Sequence, residues 1–304
     1  MPTNKQRRDA ARRHLERQQQ RRQKQHAAHR RWTLLATIAG FVVLAVVVTV
    51  VVIAFNNDDK KPAAKSSGSG SGSTSPSVPV THAPLPVRKP AKIASRAAKK
   101  TTGPCRYAES ASTLKDNPDL FDVGLPPDPA STPKAKRTAV FATNLGDVTV
   151  EFDGASAPCN VQSLEYLIGK KFFDNTACPR SVNSGIFVVQ CGDPTGSTGG
   201  GPTYTVKDEN LSQADYSAGT LAMANSGANT NSSQFFFITK DSNQNAAAGT
   251  GLEKKYTVVG HVTKGLDILQ KVAQSGDDGS NQAGGGRPNT DLIFKTVRLE
   301  AANG

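Results

Sequence analysis

LAMANSGANTNSSQFFF, residues 221–237, is the stretch from which the rest of the chain can be read. Leu221-Ala222-Met223-Ala224 is a small-residue run of strand character. Gly227 and the asparagines 225, 229 and 231 then supply turn chemistry and tolerance of left-handed backbone. Gln234-Phe235-Phe236-Phe237-Ile238 follows as a short aromatic and β-branched run bounded by that turn signal, the pattern of a buried strand. Two buried strands around a polar loop imply a hairpin in a β-rich domain.

Working outward, the same β-rich character holds from about Thr138 to Glu300. AVFATNLGDVTVEF places two strands around a turn at residues 144–147. Val161, Leu164, Leu167 and Ile168 recur at helical spacing within 160–170, and Leu266, Leu269 and Val272 do so after Gly265. Further strands are expected at 186–190, 256–262 and 292–299. The sum is a mainly β domain with two helices over 137–304, expected to be a closed antiparallel β-barrel capped by the helices. Residues 104–136, rich in Pro and Asp, read as an extended lead-in.

Upstream the composition changes. The formal charge of +12 is unevenly placed: eleven basic against two acidic residues precede Asn56, nine against two occupy 56–100, and seventeen against twenty-one lie from Thr101 on. The domain is mildly acidic, so no nucleic-acid partner is expected. Residues 1–31 read as a basic tail. Trp32–Phe55 runs 24 residues without a charge, enough at about 1.5 Å per residue to cross a hydrocarbon core of roughly 30 Å. Arg30 and Arg31 before it imply, by the positive-inside rule, a single-pass protein of the cell membrane with a cytoplasmic N-terminus and an extracytoplasmic domain. Residues 56–103, with SSGSGSGSTSPS, read as a flexible Ser/Gly/Pro/Lys linker that buries too little to order itself.

Several chemistries lack their residues. Four of five histidines precede the domain, leaving His261 in a strand-like run, a poor place for a hydrolytic triad. There is no CxxC and no HExxH, so no metal site and no cofactor is expected. Cys105, Cys159, Cys178 and Cys191 all fall on the side read as external, where an even count favours disulfides. Three pairings are open; if Cys178 and Cys191 lie on adjacent strands they could bridge, leaving Cys105 to pin the lead-in through Cys159.

The string MANSGANTNSSQFF resembles the signature of the cyclophilins, a family of peptidyl-prolyl cis-trans isomerases, and TNLGDVTVEFDGASAP and PRSVNSGIFVVQCGDP look like family segments in family order. The resemblance covers Thr138–Glu300. It implies a cyclophilin-like fold and an isomerase acting on proline-containing polypeptides, in which Arg180 is the catalytic arginine. Phe187, Val188, Phe236 and Leu252 would line the proline pocket. Gln190, Asn225 and Gln234 would hold the substrate backbone, with Ala224 and Ser226 beside them, and Tyr256 would stand where many members have His. Gly251 stands where many have Trp, which implies weak binding of cyclosporin at most, and two extra residues separate Arg180 from Gln190. A Pro-peptide-binding or chaperone module with little turnover is the alternative reading of the same groove.

Overall fold

The computed structural model describes residues 82–110, 114, 118–128, 136–245 and 249–300. The basic tail and the apolar run 32–55 lie outside the described residues, as does most of the linker. Among the described residues no helix is long and apolar enough to cross a membrane.

In chain order the strands and helices are β1 (Ala108–Glu109), β2 (Leu120–Phe121), β3 (Arg137–Thr143), β4 (Asp147–Phe152), α1 (Pro158–Gly169), β5 (Thr176–Ala177), β6 (Arg180–Val182), β7 (Val188–Cys191), β8 (Gly201–Pro202), β9 (Tyr204–Thr205), β10 (Thr220–Met223), β11 (Phe235–Ile238), β12 (Val258–Lys264), α2 (Leu266–Gln274) and β13 (Ile293–Leu299). Nine of these strands form one antiparallel sheet in the order β5-β13-β3-β4-β12-β10-β11-β7-β6. The sheet is not closed, contrary to the expected barrel: β5 and β6 are its two edges, although only Cys178 and Pro179 separate them in sequence. Pro179 has no N–H to donate across that gap, and a proline is tolerated there because it terminates a ladder.

Alternation along β11 explains how three consecutive phenylalanines serve two purposes. Side chains on a strand point to opposite faces in turn. Phe235 and Phe237 enter the main core, where Phe235 meets Phe173 edge-on with ring centroids 5.5 Å apart and Phe141 packs against both at 5.8 Å. Phe236 faces the other way, into a second apolar cluster with Val188, Ala222, Leu252 and Tyr216. The hairpin expected from residues 221–237 is present, Ala222 standing opposite Phe236.

α1 starts with Pro158 in its first turn, where a missing N–H costs nothing. Its free amides are met from outside: the Glu209 carboxylate accepts from Cys159 N at 3.2 Å and Asn160 N at 3.0 Å. Leu164, Leu167 and Ile168 bury the face predicted from their spacing.

The stretch read as a free linker behaves differently over 82–103. Arg88 donates from its backbone N–H to Pro194 O (2.7 Å) and from Nη1 to Phe172 O (2.9 Å), with its guanidinium over the rings of Phe121 and Phe172. Arg96 forks onto buried Glu109 at 2.6 and 2.8 Å and also reaches Asp122 at 2.7 Å. The lead-in supplies β1 and β2, which pair with β9 and β8. Both disulfides are formed: Cys105–Cys159 fastens the lead-in to α1, and Cys178–Cys191 joins the β5–β6 gap to β7.

Candidate active site

Because β6, β7 and β11 are neighbours, residues distant in sequence meet on the face that Phe236 occupies. Arg180 and Gln190 stand opposite each other in the β6–β7 register, and Gln190 opposite Phe236 in β7–β11. Together with Val188, Ala224, Asn225, Leu252 and Tyr256 they line a pocket of about 90 Å³. That is far below the roughly 300–1,000 Å³ of ordinary ligand clefts and suits one small ring. Phe236 and Tyr256 form its aromatic wall, edge to face with centroids 5.4 Å apart. Tyr256 is held through its backbone: the Tyr216 hydroxyl accepts from Tyr256 N (3.0 Å) and donates to Tyr256 O (2.9 Å). Burial raises the pKa of that hydroxyl, which keeps its proton for the second bond.

The pocket contains no carboxylate, imidazole or thiol; its charged group is Arg180. Desolvation lowers the arginine's pKa, yet a guanidinium stays protonated in proteins, so the result is a half-buried positive charge at the side of the pocket. Three of its five N–H bonds are used: Nε donates to Gly284 O (2.9 Å), Nη2 to Ala283 O (3.1 Å) and Nη1 to Gln190 Oε1 (2.8 Å). One N–H on each terminal nitrogen remains for a substrate. Gln190 passes the polarisation on, donating from Nε2 to Gln234 Oε1 at 2.8 Å, and Gln234 Nε2 ends the relay on Thr198 O and Gly200 O at 3.1 and 3.0 Å.

A second cleft of about 360 Å³ adjoins the pocket and shares Gln190, Ala224 and Asn225 with it; Gln234 and Ser226 lie on this side, opposite the glycine run 199–201 and Leu120 of the lead-in. Asn225 is fixed by donating to Lys255 O at 2.9 Å. Through these three shared residues pocket and cleft form one continuous groove.

One residue proposed from the sequence is elsewhere. Phe187 does not line the pocket; its ring lies under the Lys240 ammonium, 4.7 Å away, beside a different depression. The position is taken by Ile186. Alternation explains the exchange, since 186, 188 and 190 share a face and 187 is on the other, a signal that was available in IFVVQ. The carbonyls of Ala283 and Gly284 gave no such signal, because backbone acceptors are independent of side-chain type. Next to Leu252 of the pocket, Gly251 runs at φ +91°, and an added Cβ would strike the Asn243 carbonyl, so the backbone admits only glycine where an indole was the family expectation.

Comparison with known proteins places the groove in context. A family model for cyclophilin type peptidyl-prolyl cis-trans isomerase/CLD matches residues 138–297. The chain is 36% identical over 211 residues to a probable peptidyl-prolyl cis-trans isomerase B of Mycobacterium leprae, covering 64% of this chain and 66% of that one. It is 37% identical over 211 residues to the protein of the same description in Mycobacterium tuberculosis H37Rv, covering 64% of each. The chain thus spans just under two thirds of the length of these relatives. A crystal structure of a Cryptosporidium parvum cyclophilin type isomerase aligns over 55% of this chain and 99% of its own, at 24% identity and a TM-score of 0.46.

Proposed function

The chain belongs to the cyclophilin-type peptidyl-prolyl cis-trans isomerase family, and we propose that it catalyses rotation about X-Pro bonds of exported or surface polypeptides through Arg180. The observation that carries this reading is the partly desolvated guanidinium, with two N–H bonds to spare, at the mouth of a pocket sized for one ring.

Rotation about an X-Pro bond must break amide resonance, a barrier of about 18–20 kcal/mol. At the top of that barrier the prolyl nitrogen is pyramidal and carries a lone pair that the planar amide does not offer. A guanidinium N–H aimed at that nitrogen binds the twisted state better than either planar isomer, which is the condition for lowering a barrier without covalent chemistry. Phe236, Leu252, Val188 and Ile186 would hold the pyrrolidine ring while the acyl side turns. Asn225 and the Gln190–Gln234 relay would anchor the flanking main chain. The Phe236–Tyr256 pair would cover the pyrrolidine ring on one side.

The location belongs to the same proposal. The charge-free run 32–55 behind Arg30 and Arg31 supports a single membrane span with the domain outside, and two disulfides support an oxidising compartment. The absence of a side chain at Gly251, where a Cβ does not fit, supports weak cyclosporin binding at most.

The test is catalysis of a Xaa-Pro peptide by the full chain in detergent micelles. Arg180→Ala should lower kcat by roughly 10²–10³, the usual effect of losing one transition-state donor. Equal rates for wild type and variant would refute the arginine's role; peptide binding without acceleration by the wild type would leave a binding module instead.

A further inference from the structure

We propose that the glycine-rich loop 276–287, between α2 and β13, is a positioning element for Arg180, a role that rests on the isomerase reading above. Two of the three bonds that orient the guanidinium come from this loop, and both are main-chain carbonyls, Gly284 O on Nε and Ala283 O on Nη2. They occupy one side of the planar fork and so fix its plane. Gln190 holds only the remaining nitrogen, Nη1. A guanidinium pinned at one point could swing about that bond; pinned at three it can only present its two free N–H groups in one direction.

The loop is itself built to hold those carbonyls still. Gly286 O accepts from Ser181 N at 2.7 Å and Gly286 N donates to Ser181 O at 3.1 Å, so the loop is clipped to the residue next to Arg180 on the outer edge of β6. Asn281 closes the tip from within: its Oδ1 accepts from Ala283 N at 2.9 Å, and its backbone exchanges bonds with Gly284 and Gly285. Its Nδ2 reaches Thr198 Oγ1 at 3.4 Å, in the loop that receives the Gln190–Gln234 relay. At the base Asp278 Oδ1 accepts from Ser280 N and Arg287 N, both at 2.9 Å. Gly285 sits at φ +70° with its α-carbon facing the Ser181 carbonyl, where a Cβ would collide. Close approach to β6 therefore requires glycine there, and the approach is what delivers the two carbonyls to Arg180.

The experiment compares wild type, Gly285→Ala and the exposed loop control Gln282→Ala as full chains in micelles. It reads kcat and KM on a Xaa-Pro peptide and the ¹⁵N resonance of Arg180 Nε in arginine-labelled protein. Lifting the loop should displace the Nε–H resonance toward that of a solvated arginine and lower kcat by roughly tenfold to a hundredfold, the scale of an ångström-level misplacement. KM should stay within about twofold, because the ring-holding residues are untouched, and Gln282→Ala should match wild type; a merely structural role would not divide kcat from KM in this way. A displaced Nε resonance with kcat within twofold of wild type overturns the proposal while leaving the isomerase reading intact. An unshifted resonance with unchanged kcat overturns it as well. A wild type that does not accelerate isomerisation refutes the isomerase reading, and the loop's catalytic role falls with it. Should Gly285→Ala fail to fold, Asn281→Ala removes the tip closure and the Thr198 contact and is read in the same way: a fall in kcat at constant KM supports the loop, an unchanged kcat overturns it.

Discussion

Replacing Gln190 by glutamate tests how the groove uses its charge. The carboxamide is polarised in one direction, accepting from Arg180 Nη1 and donating to Gln234 Oε1, each at 2.8 Å. A carboxylate keeps the first bond and turns its second oxygen against the oxygen of Gln234. Gln234 cannot rotate to relieve this, because its Nε2 is held by the carbonyls of Thr198 and Gly200, and a flip would set oxygen against both. A lost bond with an uncompensated acceptor costs about 1–3 kcal/mol. A unit charge about 4 Å from the guanidinium would also offset roughly 4 kcal/mol of its field at an effective dielectric constant of 20. Even if only the smaller penalty reaches the transition state, Gln190→Glu lowers kcat about tenfold, and the full effect lowers it beyond a hundredfold. The assay is isomerisation of a Xaa-Pro peptide followed by magnetisation exchange, with Gln190→Ala alongside to separate lost positioning from added charge. If Gln190→Glu stays within threefold of wild type, the positive charge of Arg180 does not act on the amide nitrogen.

The lead-in and the preceding segment allow two further tests. Cys105–Cys159 closes a loop of 54 residues in sequence, and in the chain-entropy picture Cys105→Ser with Cys159→Ser should cost about 4 kcal/mol. At about 2–4 °C per kcal/mol for a domain of this size, the melting temperature should drop by about 8–16 °C, with the isomerisation rate at 25 °C retained; an unchanged Tm would show the lead-in to be held by its other contacts. For Glu109, burial alone would raise the pKa, but the Arg96 fork, the Thr203 hydroxyl and Lys99 N outweigh it and bring it from the ordinary 4.5 down to about 2. A depressed folded value means stabilisation that is complete above pH 4.5 and is lost as the pH falls toward 2. The near-ultraviolet dichroism of the Tyr107–Tyr204 pair, packed edge-on beside this site, should fade within that window; the same profile in Glu109→Gln would refute the assignment.

What the sequence made legible follows from which interactions leave a periodic trace. The helices 158–169 and 266–274 were readable because Val161, Leu164, Leu167 and Leu266, Leu269, Val272 repeat at the spacing of one buried face. The hairpin of residues 220–238 was readable from its turn residues and its aromatic strand. Expected strands at 186–190 and 256–262 lie at Val188–Cys191 and Val258–Lys264, because hydrogen bonding along the ladder, not hydrophobicity, sets where a strand begins. Closure of the sheet was not legible, since it depends on whether edges separated by Pro179 can pair. The order of residues 82–103 escaped composition altogether: a Pro- and Lys-rich stretch gives no apolar pattern, and its partners Phe172, Pro194 and Asp122 lie far along the chain. The loop 276–287 was silent for a similar reason, its contribution to the site being carbonyl oxygens.

The fastening of residues 82–105 also determines how the domain would bear mechanical load. Tension arriving at His82 first meets the bond from Arg287 Nη2 to Ala83 O (2.6 Å) and the His82–Asp291 contact. Next come the Arg88 clip and then the Arg96 fork, each a separate weak link in series. Beyond them Cys105 passes the force through a covalent bond to Cys159 at the start of α1, bypassing residues 106–158. A domain held by its N-terminal side would therefore yield first at these contacts, the disulfide then taking the load past residues 106–158.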